Sequence, residues 1–163
     1  MNDTPGQGVP DAIRDTDGWQ AVLEDMASTA EAYRDEGWET LELHPGDSVL
    51  VDSDRRTGLD VLLSGPEYEQ LASLASSHSF STSEVFAAES AGLYYLLIVE
   101  RDPEAETAVF IPAYYELSRS REALESIVAD DELRVFCRRL NDEYVAFDHD
   151  DIAPFVLDEL LEN

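Results

Sequence analysis

The densest group of chemistry-bearing residues in this 163-residue chain is Asp148-His149-Asp150-Asp151. An imidazole flanked by carboxylates offers nitrogen and oxygen donors to a divalent ion, so His149 and Asp150 are the candidate metal ligands. The simpler reading is that Asp150 or Asp151 caps a following helix and complements its positive end. Asp52-Ser53-Asp54 opens like a calcium loop. Arg56 then occupies the third ligand position, the glycine arrives one residue late at Gly58, and Leu63 stands where a closing glutamate belongs. Glu84, Glu89 and Glu100 lie on or beside strand-like segments, where nuclease-type folds hold metal-binding acids. The lysine such motifs require is missing, because all ten basic residues are arginine. His44 sits on the polar side of a short strand and could join His149 only through the fold.

Two further groups are candidate ligand-binding residues. Tyr94-Tyr95 and Tyr114-Tyr115 fall on neighbouring strand-like segments, and in each pair one ring must point to each face. If the strands pair, Tyr95 and Tyr114 could line an aromatic pocket or an interface, although core packing explains them as well. Arg134 and Arg138, with Arg139 beside them, could hold an anion or could neutralise nearby carboxylates. No catalytic residue is nominated and no cofactor is implied. Without lysine a P-loop and Schiff-base chemistry are excluded, and neither GxGxxG nor GxSxG occurs. Cys137, the only cysteine, lies on the apolar Leu133-Val135-Cys137 face of a strand and reads as a small buried hydrophobe. The three histidines are too dispersed to propose a triad from spacing.

The elements that must carry these residues belong to a strongly acidic chain. There are 37 Asp and Glu against ten Arg, a formal net charge of −27. In dilute buffer such an excess repels itself and opposes the compact state. At molar salt the Debye length falls to about 3 Å and the repulsion is largely screened. The acids are spread along the whole chain rather than gathered in a tail, which points to salt adaptation rather than nucleic-acid mimicry. An Arg-rich arm with interleaved aromatics is lacking, so nucleic-acid binding is not expected. Nor is a membrane or signal segment, and the expected location is cytoplasmic.

Residues 1–10 hold two Pro and two Gly and read as a disordered tail, with residues 11–163 forming one domain. Apolar spacing predicts a helix over about Asp17–Glu36, carrying Trp19, Val22, Leu23, Met26, Ala30 and Tyr33 on one stripe. Strands are expected at 40–44, 48–53 and 59–63, and Ser64-Gly65-Pro66-Glu67 announces a second helix. Beyond it come a weaker strand at 83–89, a strand at 93–101 that is apolar on both faces, and another at 107–115. Pro112 assigns that last strand to an edge or a bulge. A short helix at 118–129, a hairpin over 132–147 and a closing helix from Asp151 to about Leu161 complete the chain. Short turns between strands favour an α+β fold with a mostly antiparallel sheet and helices packed against it.

The segments Gly37–Asp47 (GWETLELHPGD), Val99–Ala108 (VERDPEAETA) and Ile111–Tyr115 (IPAYY) resemble a conserved haloarchaeal family of unknown function. The resemblance implies an archaeal cytoplasm and carries no activity and no site residues. The expected function is a salt-adapted, non-enzymatic binding or assembly module, with a homodimer or another protein as partner. The alternatives are a metal-dependent, nuclease-like hydrolase and a small-ligand sensor with an aromatic pocket.

Overall fold

Thr16 starts the first helix by accepting the Trp19 amide at its hydroxyl, 3.1 Å away. Helix α1 (Asp17–Asp35) then buries Trp19, Val22, Met26 and Ala30 along one stripe. The computed structural model describes residues 16–54 and 56–157; the expected tail lies outside the described residues. After α1 come β1 (Glu39–Glu42), β2 (Asp47–Asp52), β3 (Thr57–Leu62), α2 (Gly65–Ser77), β4 (Thr82–Ser90), β5 (Leu93–Asp102) and β6 (Thr107–Glu116). A 3-10 turn (Leu117–Arg119), α3 (Arg121–Asp130), β7 (Leu133–Arg138), β8 (Tyr144–His149) and a second 3-10 turn (Ala153–Phe155) follow.

The strands form two four-stranded sheets, ordered β1-β6-β5-β4 and β2-β3-β7-β8. β1–β6 and β3–β7 are parallel; the other four pairings are antiparallel. The α+β reading holds, with mixed rather than purely antiparallel sheets. The inner faces pack together: Leu96, Ile98, Ile111 and Tyr115 of the first sheet share one buried cluster with Leu59, Val61, Val135 and Cys137 of the second. Leu71 of α2 and Leu124 and Ile127 of α3 join that cluster. The outer face of the first sheet presents Tyr95, Leu97, Val99, Phe110 and Tyr114 to the buried stripe of α1. β5 is therefore covered on both sides, which is why its sequence is apolar at both parities.

Pro112 sits in β6, between β5 and β1, yet β1 pairs only with Thr107–Phe110. Phe110 and Tyr114 direct their free groups away from β5, to Leu43 and Ser48. Pro112 shares that parity, so its missing donor faces a stretch with no neighbouring strand among the described residues. The closing helix is a correction. Within the described residues there is only the Ala153–Phe155 turn, followed by extended Val156. Tyr94 and Tyr115 donate to the carbonyls of Pro154, Phe155 and Val156, consuming the acceptors a helix would need. The rest of that expected helix lies outside the described residues.

Candidate functional site

Strand alternation turns Asp148 and His149 to opposite faces of β8, although Asp148, His149, Asp150 and Asp151 all border one cleft. Asp148 points to the outer face of β8 and meets Arg134 at 2.9 Å. His149 points inward; Asp150 is exposed. Asp151 Oδ1 accepts the Ala153 amide just before the 3-10 turn. Among the described residues no three His, Cys, Asp or Glu side chains gather around one point as a metal cage would require. His44 pairs with Glu67 at 2.8 Å, on a different part of the surface.

His149 instead joins the two sheets. Its Nε2 lies 2.6 Å from Glu100 Oε2, and its Nδ1 lies 3.4 Å from Ser83 Oγ. Ser83 and Glu100 face each other across the β4–β5 ladder, so one strand pair presents both to the imidazole. Glu100 and His149 are buried, whereas Ser83 is exposed. Burial pushes the Glu100 carboxyl above its ordinary range, against the opposing pull of His149. Phe155 packs on the imidazole with ring centres 4.8 Å apart. A cleft of about 150 Å³ opens here, lined by Ser83, Val85, Glu100, Asp148, His149 and Pro154 among others. In the tautomer that donates Nε2–H to Glu100, Nδ1 presents its lone pair toward the Ser83 hydroxyl.

Ser83 lies on β4, the outer strand of its sheet, which among the described residues only β5 pairs. The β4–β5 hairpin turns through Ala91 and Gly92, with φ of 54° and 83°. A two-residue turn of this kind makes Ser90 and Leu93 the bonded pair that closes the ladder. Thr82, Glu84, Phe86, Ala88 and Ser90 therefore bond β5, and Ser83, Val85, Ala87 and Glu89 direct N–H and C=O outward. No other described backbone group meets them. All nine residues are exposed except half-buried Val85, and Phe86 is 48% exposed.

Tyr95 and Tyr114 are opposed in register on the outer face of the first sheet. Tyr95 is buried under α1, its ring so close to Gly18 that a Cβ there would collide with it; its hydroxyl donates to Thr16 at 2.9 Å. Tyr114 stacks edge-on with Trp19 and donates to Asp47. It also borders a cleft of about 760 Å³ with Asp47, Ser48, Gly92, Glu116 and Arg119. Burial and Asp47 both push its phenol pKa upward. It is Tyr94 and Tyr115 whose rings flank each other, 5.3 Å apart on the inner face. Arg134 and Arg138 share the outer face of β7 but go to different acids, Arg138 to Asp60 at 2.7 Å. Arg56 also reaches Asp60, at 3.3 Å, so one buried aspartate holds two guanidinium groups. Burial pushes the Cys137 thiol far above its usual range.

Sequence reasoning named Glu100 among other strand acids but did not single it out, and it missed Ser83 and Asp60. A signal existed for the two acids. Glu100 directly follows the apolar run Leu93–Val99 within its strand, and Asp60 interrupts Leu59–Leu63. An acid there must be partnered to be buried.

No helix among the described residues is long and apolar enough to cross a membrane. No curated protein and no solved structure matches the chain. A family model described as a family of unknown function, DUF7529, matches residues 9–156. That match covers most of the chain, which therefore belongs to this family.

Proposed function

We propose that the chain is a non-enzymatic binding or assembly module whose working surface is the bare edge of β4, built for a salt-rich cytoplasm such as that of a haloarchaeon. The observation that carries this reading is the row of outward N–H and C=O groups on Ser83, Val85, Ala87 and Glu89. A long, regular edge is a template for another strand, and proteins that avoid pairing blunt it with lysine, proline, a bulge or a covering loop. Thr82–Ser90 contains neither proline nor a basic residue, its only charges are Glu84 and Glu89, and its register to β5 is unbroken. A synthetic peptide of sequence TSEVFAAES, added in molar salt to the full chain diluted until light scattering reads a single chain, tests the edge by hydrogen exchange. Slowed exchange at the amides of Ser83, Val85, Ala87 and Glu89 supports strand addition. Unchanged exchange at the solubility limit of the peptide overturns it.

A second reading rests on the order Ser83–His149–Glu100, which has the connectivity of a hydroxyl nucleophile, a base and an orienting acid. In it Ser83 Oγ attacks a small ester, His149 Nδ1 takes the hydroxyl proton and returns it to the departing alcohol, and water later releases the acyl group. A fluorophosphonate probe distinguishes it: covalent labelling that disappears in Ser83→Ala supports acyl transfer, and absence of labelling removes it.

A further inference from the structure

We propose that the partner of this edge is a second copy of the chain, with β4 pairing antiparallel to its own copy about a two-fold axis at Phe86. The proposal rests on the reading of β4 given above and names its occupant.

The geometry selects the register. Full overlap of a nine-residue strand with its copy requires residue numbers to sum to 172, which places Phe86 opposite the partner's Phe86. Ser83 then faces the partner's Glu89, and Val85 faces the partner's Ala87. These are the residues whose backbone groups point outward, so the ladder satisfies each of them. A shift by one residue would oppose an outward-facing group to one already bonded to β5. Full overlap and backbone parity thus agree on a single arrangement.

Side-chain chemistry agrees with it. Glu84 faces the partner's Ala88 and Glu89 the partner's Ser83, so no acid opposes an acid. Phe86, about half exposed in one copy, meets its symmetry mate in the pair without mutual backbone bonds, where side chains approach most closely. The buried stripe of α1 rests on β5 and β6 and reaches β4 where the Tyr33 hydroxyl donates to Glu84, while Phe86 stays about half exposed. The result is one eight-stranded sheet, β1-β6-β5-β4 continued by the same strands in reverse, closed by the symmetry common to homodimers. Residues 1–15 are a poorer partner strand, since Pro5 and Pro10 each lack a donor. Two chains of formal charge −27 repel one another, so the pairing tightens as salt is added.

Light scattering and oxidative cross-linking of the full chain test it. In molar salt the measured mass is expected to be twice the 18.2 kDa of one chain, falling toward one chain as salt is lowered. Directly opposed residues of such a pair stand about 4.5 Å apart at Cα, within reach of a disulfide. Phe86→Cys is therefore expected to form a covalent dimer on mild oxidation and Ala88→Cys to remain uncross-linked. Buried Cys137 does not compete. A strict monomer in molar salt overturns the homodimer. Cross-linking at Ala88→Cys but not Phe86→Cys overturns the register. In either case peptide-induced protection of the β4 amides would leave the edge reading standing, and its absence would remove both.

Discussion

His149 and Glu100 meet at 2.6 Å between facing sheets, and each is the other's main reason for tolerating burial. Glu100 belongs to the central strand β5 and His149 to the last residue of edge strand β8. The contact fastens the end of β8 and, through Phe155, the turn that follows it. Replacing His149 by Ala strands a buried carboxyl and removes the ring beneath Phe155. We expect a loss of at least about 2 kcal/mol in chemical denaturation. The double variant Glu100→Leu, His149→Leu is expected to lose less than the two single losses combined, because no unpartnered polar group remains. Strict additivity of the two would show that the pair is not coupled.

The same pair makes stability pH-dependent. Burial raises the Glu100 pKa, so the folded chain holds that proton at a pH where the unfolded chain has released it. Below the ordinary carboxylate range both states are protonated and the term vanishes. As pH climbs through and above that range the folded state is the one binding more protons, so this contribution to stability falls. Glu100→Gln keeps a hydrogen-bonding amide and removes the titration. Its stability, plotted as a difference from the parent chain, is expected to rise with pH over that window. A flat difference from acid to neutral pH would contradict the assignment.

Much of the fold is legible because local chemistry and tertiary demand agree. Thr16 and Ser64 accept the amides that helix starts leave free, and both helices begin where those residues stand. The doubly apolar run at Leu93–Val99 is a strand covered on both sides, as its composition requires. Legibility fails where partners are distant in sequence. His149 and Glu100 are 49 positions apart and Asp60 and Arg138 are 78 apart, and no local pattern couples them. In the Asp148–Asp151 group strand alternation sends Asp148 to Arg134 and His149 to Glu100, so the four border one cleft and, among the described residues, do not converge on one point. The expected closing helix failed for a related reason. Tyrosine hydroxyls from β5 and β6 claim the carbonyls of residues 154–156.

Those hydroxyls give a prediction of their own. Tyr115 donates to the Phe155 carbonyl at 2.7 Å in a fully buried setting. Tyr115→Phe keeps the ring and leaves that carbonyl unsatisfied, which costs about 1–3 kcal/mol. The loss should be local first: amides of residues 153–156 are expected to exchange faster while the β5 and β6 amides keep their protection. Uniform acceleration across the sheet would mean that the hydroxyl supports the whole core rather than the turn.

Asp60 is the clearest case of a buried acid retained for its partners. It lies on the outer face of β3, 4% exposed, with Arg138 at 2.7 Å and Arg56 at 3.3 Å. The Arg56 guanidinium also sits over the Phe136 and Tyr144 rings, 5.8 and 5.9 Å from their centres. Removing the carboxylate leaves Arg56 facing aromatic carbon and Arg138 with only Asp142, at 3.9 Å. Asp60→Ala is expected to cost about 3 kcal/mol, the lower end for a broken buried pair because both arginines retain some solvent. Asp60→Asn should recover part of this through the remaining hydrogen bonds. A cost under about 1 kcal/mol would place the cluster with ordinary surface ion pairs.

The surplus of acids has a consequence that salt titration can read. With 37 acids against ten arginines, few of the carboxylates can be answered by a cation at close range. The rest repel across the surface, and lowering the ionic strength lengthens the reach of that repulsion from about 3 Å at 1 M to about 10 Å at 0.1 M. Denaturation followed in KCl should therefore show stability climbing steeply up to roughly molar concentration and flattening beyond it. Surface exclusion by sulfate or sucrose would instead raise stability steadily with concentration, so the curvature in KCl separates screening from burial strengthened by cosolvent. Equal stability in dilute buffer and in molar KCl would mean that the folded chain does not feel its charge, and salt adaptation would lose its physical basis.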